Sequence, residues 1–290
     1  MADSADSLGS ILVIIPTYNE IENIDMITSR LRAATPHVDV LVVDDNSPDG
    51  TGRRADELAA SDEHIKVLHR AGKEGLSAAY LAGFRWGLDA GYDVLVEFDA
   101  DGSHQPEELP KLLSALRRAD MVKGSRWVPG GRVVNWPKSR ELLSRGGSLY
   151  TRAMLGVPVK DITGGLNLFR RATLEAIIDD VQAGGYGIQR DLTWLAHRKG
   201  FRIVEVPITF HERTAGASKL GRDVFVEALR KTTEMGVKHR AGQARAGAAA
   251  AGGFALAVGR TAEAPMPRSN RPPEMTSRVE AILATSAGLR

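Results

Sequence analysis

The sequence lacks cysteine, a long apolar run and a strong charge of either sign. Without cysteine, the 290-residue chain forms no disulfide and offers no thiolate metal ligand, which fits a reducing compartment. No apolar run reaches the roughly 18 residues of a membrane-spanning helix. The net charge of +2 gives no general reason to expect nucleic acid as a partner. Acidic Asp3 and Asp6 replace the basic start of a signal peptide, so we expect a protein that is not exported.

Between residues 11 and 124, the sequence instead alternates short β-branched runs with amphipathic segments. This alternation is typical of βαβ units and predicts an α/β fold with a mostly parallel, Rossmann-like sheet. Polar loops should follow several of these strands at one rim and line a common crevice. The predicted strands are Ile11–Ile15, Asp39–Val43, Ile65–Leu68, Asp93–Phe98 and Met121–Lys123.

After Gly124 the alternation breaks, and basic and small residues dominate. This half is expected to handle a second substrate. The Ala-, Gly-, Pro- and Arg-rich sequence from about Arg240 predicts a mostly disordered tail, with a short helix near Ser277–Ala287. Between them we predict helices at Ser139–Leu155 and Leu192–Arg198 and strands at Gly165–Phe169 and Phe201–Val206.

Two carboxylates one residue apart, Asp99 and Asp101, follow the apolar run Val94–Phe98. Open α/β sheets bind their ligands at the carboxyl ends of strands. Carboxylate oxygens suit Mg²⁺ or Mn²⁺, which often share their coordination with phosphate oxygens and water. The pair therefore predicts a metal-assisted reaction on a phosphorylated substrate, and the alternative is that both acids only cap a helix near Pro106. For His104, beside the pair, we expect an indirect or merely exposed role.

A second acidic pair, Asp44 and Asp45, follows another apolar run. An acid at such a strand end can accept hydrogen bonds from a nucleotide base or a ribose, while Asp49 and Thr51 are typical of the turn and cap of the next helix. Clustered strand-end acids also suit a response-regulator receiver domain. That alternative predicts one small domain and leaves the Arg-rich second half unexplained.

The order of these motifs resembles glycosyltransferase family 2 of the GT-A fold, and within it the polyprenol-phosphate (dolichol-phosphate) mannose synthases. The resemblance covers residues 10–230, and a series of motifs in order is more specific than any one of them. The motifs that carry it are Ile14–Glu20, Val43–Thr51, Asp99–Asp101, Gly124–Arg126, Asn135–Pro137, Arg140–Gly146, Asp161–Gly165, Val206–Phe210, Glu212–Arg213 and Ser218–Leu220.

The resemblance implies a donor site in which Asp99 and Asp101 bind a divalent ion that bridges the GDP diphosphate. A metal there stabilises the negative charge that develops on the departing phosphate. In some relatives a Gln follows two residues after the second Asp; here that position is Ser103, so Ser103, Gln105 or water remains open as a further ligand. The implied nucleotide-sugar contacts are Pro16, Tyr18, Glu20, Asp44, Asp45, Lys73, Asp99, Ala100 and Asp101. For Lys73, a surface turn is nearly as good an interpretation.

The second half resembles the acceptor-phosphate site of the family. A lipid monophosphate is anionic, and the Arg guanidinium matches its oxygens with paired N–H donors. Because a phosphate oxygen is already ionised, no side chain should be essential as a base. Asp191, where other members keep a base, is instead predicted as the N-cap of the helix at 192–198. The implied acceptor-phosphate residues are Arg126, Arg140, Ser144, Arg213 and Lys219, and the implied catalytic residues are Asp99, Asp101 and Arg126.

The resemblance implies an enzyme that transfers mannose from GDP-mannose to a polyprenyl phosphate with inversion and releases GDP. The alternatives are a UDP-glucose-dependent polyprenyl-phosphate glucosyltransferase and a non-catalytic α/β binding or regulatory module. We expect a cytoplasmic protein at the cytoplasmic face of the membrane. Either a basic and apolar surface near Arg132, Lys138 and Arg145 or a membrane-embedded partner subunit would hold it there.

The expected organisation is a flexible N-terminus (residues 1–9), a GT-A domain (10–235) and a mostly disordered tail (236–290). Within the GT-A domain, a nucleotide-sugar half (10–124) continues into an acceptor half (125–235).

Overall fold

The computed structural model describes residues 8–182, 187–212 and 227–241. The strands in these ranges are β1 (Ile11–Thr17), β2 (Asp39–Asp44), β3 (Ile65–His69), β4 (Val94–Glu97), β5 (Met121–Ser125), β6 (Arg132–Val134), β7 (Asn167–Arg170), β8 (Ile203–Pro207) and β9 (Thr209–His211). The helices are α1 (Ile24–Ala34), α2 (Thr51–Ser61), α3 (Leu76–Asp89), α4 (Leu109–Leu116), α5 (Lys138–Leu155), α6 (Arg171–Ile177) and α7 (Ile188–Arg198), with 3-10 turns at Pro106–Glu108 and Ile178–Asp180. Residues 227–241 are also helical.

One seven-stranded sheet in the order β3-β2-β1-β4-β7-β5-β8 runs through the fold. Strands β1 to β4 are parallel, so their carboxyl ends lie at the same edge. Strand β7 lies antiparallel between β4 and β5, and β8 continues the sheet parallel to β5. Strands β6 and β9 form a separate parallel pair. The α/β fold with a continuous sheet is therefore confirmed, and both predicted halves share it.

The apolar strands are buried because helices cover both faces of the sheet. Along β1, Val13 and Ile15 face a cluster that includes side chains of α1 and α4. Leu12 and Ile14 face the opposite cluster, which includes side chains of α3, α6 and α7. Successive side chains of a strand point to opposite faces, so a strand covered on both sides is apolar at every position.

The five strands predicted before residue 125 are present with ends shifted by one or two residues. The strand predicted at 165–169 lies at Asn167–Arg170, and the one predicted at 201–206 lies at Ile203–Pro207. The helix predicted at 139–155 begins one residue earlier. Sequence reasoning missed β6, β9 and α6, which are short elements without a clear periodicity.

The 227–241 helix packs against α5 and α7. Tyr150 and Thr233 share a hydroxyl hydrogen bond of 2.5 Å, and Gly236 lies so close to Met154 that a Cβ would meet its carbonyl oxygen at 2.7 Å. The helix crosses the predicted boundary at residue 235. The rest of the predicted tail, including the helix predicted at 277–287, lies outside the described residues, as do residues 1–7. Within the described ranges, no helix combines the length and apolar character needed to cross a membrane.

Close packing of α3 on β1 and β2 predicts that Gly83→Ala destabilises the fold. A Cβ on Gly83 would lie 2.5 Å from Cγ2 of Ile14 and 3.1 Å from Cγ2 of Val43. Overpacking costs about 1–3 kcal/mol, which exceeds the gain of about 1 kcal/mol from the better helix propensity of alanine. The difference is about 1 kcal/mol at the middle of that range, so we expect urea unfolding to show a free energy of unfolding lower by about 1 kcal/mol.

Gly146→Ala in α5 is the matched control. Apart from its chain neighbours and the backbone of its own helix, none of the described atoms lies within 4 Å of the position that its Cβ would take. The helix propensity of alanine should then act alone and raise the free energy of unfolding by about 0.5–1 kcal/mol. Equal stabilisation by both substitutions would contradict the packing described for α3.

Candidate active site

Hydrogen bonds connect the loops after β1 and β2 at the carboxyl edge of the sheet. The amide of Glu20 donates to Oγ1 of Thr51 at 3.0 Å, and the amide of Ile21 donates to Oδ2 of Asp49 at 3.2 Å. Asp49 also accepts the amide of Thr51 at the start of α2, as predicted for the turn. Burial raises the pKa of Asp49, but the hydrogen bonds from Thr51 and Ile21 outweigh it and hold the pKa below its ordinary value. These contacts fix one wall of the crevice.

Asp44 and Asp45, both buried, are occupied by protein groups. Asp44 accepts hydrogen bonds from the Thr17 hydroxyl at 3.2 Å and from the amide and hydroxyl of Ser47 at 3.1 and 2.5 Å. Asp45 is paired with the guanidinium of Arg70. Burial raises the pKa of Asp45, and the nearby charge of Arg70 opposes that shift. In this structure the two acids order the rim, and a nucleotide would have to share them with these partners.

Lys73 reaches the same rim from the loop before α3. Its ammonium lies 3.8 Å from the centre of the Tyr18 ring, a distance typical of a cation–π contact. This contact brings together two residues predicted for the donor site. Pro16 lies inside β1, and Ala100 is buried next to Asp99.

Asp99 and Asp101 lie in the loop that follows β4. The Tyr80 hydroxyl donates to Oδ1 of Asp99 at 2.8 Å, and the Ser103 amide donates to Oδ1 of Asp101 at 3.0 Å. The pKa of Tyr80 is well above its ordinary value because of burial and the charge of Asp99, so the hydroxyl remains a donor. The side chain of Asp99 is 31% exposed and therefore open to a ligand.

The donor set of this loop fits a hard divalent cation. Carboxylates suit Mg²⁺ or Mn²⁺, which take their remaining ligands from phosphate and water. Among the described residues, no three His, Asp or Glu side chains form a ready-made metal site. The Gln105 amide oxygen accepts a hydrogen bond from Arg30 at 2.8 Å, and its amide nitrogen donates to the Gly102 carbonyl. Gln105 would have to leave Arg30 to bind a cation.

Three polar side chains beneath the crevice were missed by sequence reasoning. Glu97, Lys123 and Asn167 are fully buried on β4, β5 and β7. Asn167 donates to Glu97 and accepts from Lys123, which also donates to the Gly164 carbonyl at 3.3 Å. Burial raises the pKa of Glu97 and lowers that of Lys123. The sequence signal that could have revealed them is the charge of Glu97 and of Lys123, each within an otherwise apolar strand.

Arg126, predicted to bind the acceptor phosphate, forms a bidentate ion pair with buried Asp161. Nε and Nη2 donate to Oδ2 and Oδ1 of Asp161 at 2.7 Å each. The Arg126 residue is only 6% exposed, and its guanidinium lies 5.6 Å from the Trp136 ring centre and 5.2 Å from that of Phe210. An anion could bind only to those N–H groups of Arg126 that do not already donate to Asp161 or Thr163.

Arg140 lies near the start of α5, one helical turn before Ser144. Its guanidinium donates to Oε1 of Glu212 at 2.8 Å and lies 4.2 Å from the centre of the Trp136 ring. Residues four apart share a helix face, so Arg140 and Ser144 present donors on the same side of α5. The other two predicted acceptor residues, Arg213 and Lys219, lie outside the described residues.

Asp191 is not the helix N-cap that was predicted. Helix α7 begins at Ile188, so Asp191 lies inside its first turn. Its carboxylate is buried and accepts from Nε and Nη2 of Arg190 at 3.0 and 2.8 Å. Arg190 in turn donates to the Thr232 hydroxyl at 3.3 Å, which ties α7 to the 227–241 helix. The prediction was wrong because it placed the start of the helix too late.

His104 connects the acidic and basic parts of the site. Its Nε2 lies 3.8 Å from Oδ2 of Asp99, and its ring centre lies 5.0 Å from that of Phe210, which contacts Arg126. The imidazole is fully buried, which lowers its pKa to about 4. The expectation of an exposed His104 is therefore wrong, while its proximity to the acidic pair is confirmed.

Comparison with known proteins places these features in one family. The model of the family described as "Glycosyl transferase family 2" matches residues 12–178. The chain is 58% identical over 231 residues to an undecaprenyl-phosphate mannosyltransferase of Micrococcus luteus, a match that covers 79% of this chain and 95% of that protein. It is 54% identical over 237 residues to a polyprenol monophosphomannose synthase of Mycolicibacterium smegmatis, covering 81% and 89%.

A more distant relative and a solved structure are also similar to this chain. A dolichol-phosphate mannosyltransferase of Pyrococcus furiosus is 40% identical over 223 residues, which cover 75% of this chain and 61% of that protein. Among solved structures, glucosyl-3-phosphoglycerate synthase from Mycobacterium tuberculosis, in complex with Mn²⁺, UDP-glucose and phosphoglyceric acid, is similar with a TM-score of 0.59 at 20% identity. That match covers 80% of this chain and 82% of the other, and it supports the fold alone.

The buried pair predicts that Asp161→Asn destabilises the protein by about 3–5 kcal/mol, because Arg126 keeps its charge without a counter-ion. Burial raises the pKa of Asp161, but Arg126 outweighs it and holds the pKa below the ordinary value of 3.8. The stabilisation is thus complete above that pH and is lost as pH falls through the lowered pKa. Urea unfolding from pH 7 to pH 3 should show the gap between wild type and variant closing.

Asp180→Asn is the matched control, because it breaks the ion pair of Asp180 with Lys199 at the surface. Exposed pairs contribute about 0–1 kcal/mol, so this change should have little effect at any pH. An Asp161→Asn variant no less stable than Asp180→Asn would contradict the role assigned to the buried pair.

Proposed function

We propose that this chain, which belongs to glycosyl transferase family 2, transfers mannose from GDP-mannose to a polyprenyl monophosphate with inversion and releases GDP. The observation that carries the proposal is the contact path from Asp99 through His104 and Phe210 to Arg126. It joins a cation-binding loop to an anion-binding surface on one sheet edge. The names of the bacterial relatives support mannose as the sugar and a polyprenyl phosphate as the acceptor.

The donor half of the site would bind the nucleotide sugar between the loops after β1, β2 and β4. Asp99 and Asp101 would hold Mg²⁺ or Mn²⁺, which when bound stabilises the charge on the departing diphosphate. Ser103 or a water molecule would supply a further ligand to the ion. Lys73, placed over Tyr18, adds a positive charge near the phosphates. The remaining proposed donor contacts are Pro16, Glu20, Asp44, Asp45 and Ala100.

The acceptor half would hold the lipid phosphate with Arg140 and Ser144 from α5 and with the remaining N–H groups of Arg126. Arg213 and Lys219 complete the proposed set. A phosphate oxygen forms the new bond to the anomeric carbon as the bond to the GDP oxygen breaks on the opposite face, which inverts the configuration. The attacking oxygen is already ionised, so no general base is needed. The engagement of Asp191 by Arg190 agrees with this absence of a base.

The outer face of α5 suits a membrane surface. Leu142 and Leu149 are 73% and 63% exposed, and Lys138 and Arg145 share their face of the helix at spacings of three and four residues. Exposed leucines flanked by basic residues are typical of helices that lie in the headgroup region of anionic bilayers. We propose that this face holds the protein at the cytoplasmic side of the membrane, alone or beside a membrane-embedded partner.

The experiment that tests the function is transfer of mannose from radiolabelled GDP-mannose to a polyprenyl phosphate, with Asp101→Asn as the variant. Losing a metal ligand removes several kcal/mol of transition-state stabilisation, so the rate should fall about 100-fold or more. The exposed Asp89 of α3, changed to Asn, is the control and should keep the wild-type rate.

A panel of nucleotide sugars separates the alternatives. Preference for UDP-glucose would overturn the donor assignment. Absence of turnover with every nucleotide sugar would overturn the enzymatic proposal and favour a binding module.

The membrane proposal predicts that the double variant Leu142→Ser/Leu149→Ser loses binding to anionic vesicles. Each fully buried leucine contributes about 1.5–3 kcal/mol, so partial insertion of two should change the partition coefficient at least about 10-fold. Sedimentation with phosphatidylglycerol vesicles measures it, with phosphatidylcholine vesicles as the low-binding reference. Transfer to a short, water-soluble prenyl phosphate should be unchanged. Equal sedimentation of variant and wild type would contradict the proposal.

A further inference from the structure

Tyr80 is a buried residue that contacts the proposed metal ligands and has no role in the proposed function so far. It lies in the second turn of α3, is fully buried, and donates its hydroxyl hydrogen to Oδ1 of Asp99 at 2.8 Å. Its ring stacks on Phe84 with centroids 6.1 Å apart, and Phe84 meets the edge of Phe169 at 5.7 Å. The hydroxyl is therefore held by the close-packed core rather than by a loop.

The other oxygen of Asp99 is confined as well. His104, 1% exposed, places Nε2 at 3.8 Å from Oδ2, and among the described residues neither ring nitrogen has a hydrogen-bond partner. Gly165 approaches so closely that a Cβ would lie 3.0 Å from the same oxygen. The carboxylate is thus bounded by Tyr80 on one side and by His104 and Gly165 on the other.

Such confinement matters for a carboxylate that binds a cation. A carboxylate that rotates freely must be ordered when the ion binds, whereas one already fixed by a hydrogen bond loses less freedom. Residues that do not touch the metal but hydrogen-bond to its ligands typically contribute 10–100-fold to metal affinity or activity.

We propose that Tyr80 is a positioning residue that orients Asp99 for the divalent cation through its hydroxyl hydrogen bond. The proposal rests on the proposed function in one respect, the assignment of Asp99 as a metal ligand. It adds a contribution from α3, the helix that follows the loop carrying Lys73.

The test is Mn²⁺ binding to the full chain in the presence of GDP, measured from the free Mn²⁺ signal in electron paramagnetic resonance. Tyr80→Phe removes one oxygen atom and keeps the ring stack. We expect it to weaken Mn²⁺ binding roughly 10–100-fold. Saturating Mn²⁺ should restore most of the mannosyl transfer rate, because the defect lies in metal binding. A general packing defect would not be restored in this way.

Tyr92→Phe is the matched control. The Tyr92 hydroxyl also donates to a carboxylate, that of Asp39, and its ring stacks on Trp86 at 6.2 Å, but Asp39 lies at the opposite end of β2. This variant loses the same atom and the same kind of hydrogen bond. It should bind Mn²⁺ as the wild type does, and thermal unfolding of both variants checks that they fold.

The outcomes separate this inference from the proposed function. Unchanged Mn²⁺ affinity in Tyr80→Phe, or an equal loss in Tyr92→Phe, overturns the role of Tyr80 even when mannosyl transfer is intact. A wild type that binds no Mn²⁺ with GDP overturns both the cation site and the role of Tyr80. A wild type that binds Mn²⁺ but transfers no sugar overturns the proposed function. The Mn²⁺ affinities of Tyr80→Phe and Tyr92→Phe then still decide the role of Tyr80.

Discussion

The geometry of the site depends on a buried row of polar side chains across β4, β7 and β5. Glu97 lies directly opposite Asn167 in the β4–β7 ladder, and Lys123 lies directly opposite Asn167 in the β5–β7 ladder. Fully buried charges are strongly unfavourable unless they are paired, so a one-residue slip of any of these strands would separate the row. The row therefore fixes the register of three strands, and with it the positions of Asp99 and Arg126 just beyond their ends.

The charged groups around the crevice are already engaged by protein partners. Asp45 is paired with Arg70, Arg126 with Asp161, and Arg140 with Glu212. Binding of a donor or a phosphate must then exchange partners or use the remaining lone pairs and N–H groups. This arrangement keeps charges of opposite sign close together and limits the rotation of their side chains. It favours ligands that match several preset positions at once, such as a diphosphate with its cation.

The sequence predicted what local patterns determine. Asp44 and Asp99 could be placed because each follows an apolar run that must be a strand, and parallel strands put their ends at one edge. The sequence could not predict that Asp161 holds Arg126, or that Asn167 lies between Glu97 and Lys123, because these partners are 35 to 70 residues apart. Their pairing follows from the antiparallel insertion of β7, which no local periodicity encodes. The error at Asp191 was of another kind, since helix starts are the least certain feature of a sequence pattern.

Helix α5 relates the chemistry of the site to the position of its lipid substrate. With 3.6 residues per turn, Arg140 and Ser144 lie on one side of α5, while Leu142 and Leu149 lie on the other. The first side faces Glu212 and Trp136, and the second is open to solvent. In the proposed function, the leucine side rests among lipid headgroups and the arginine side meets the phosphate of a lipid drawn from the same leaflet. The helix that contacts the membrane also carries the groups that bind the phosphate. The lipid chain can therefore stay in the bilayer, because its phosphate has to move only by about the width of one helix to reach the site.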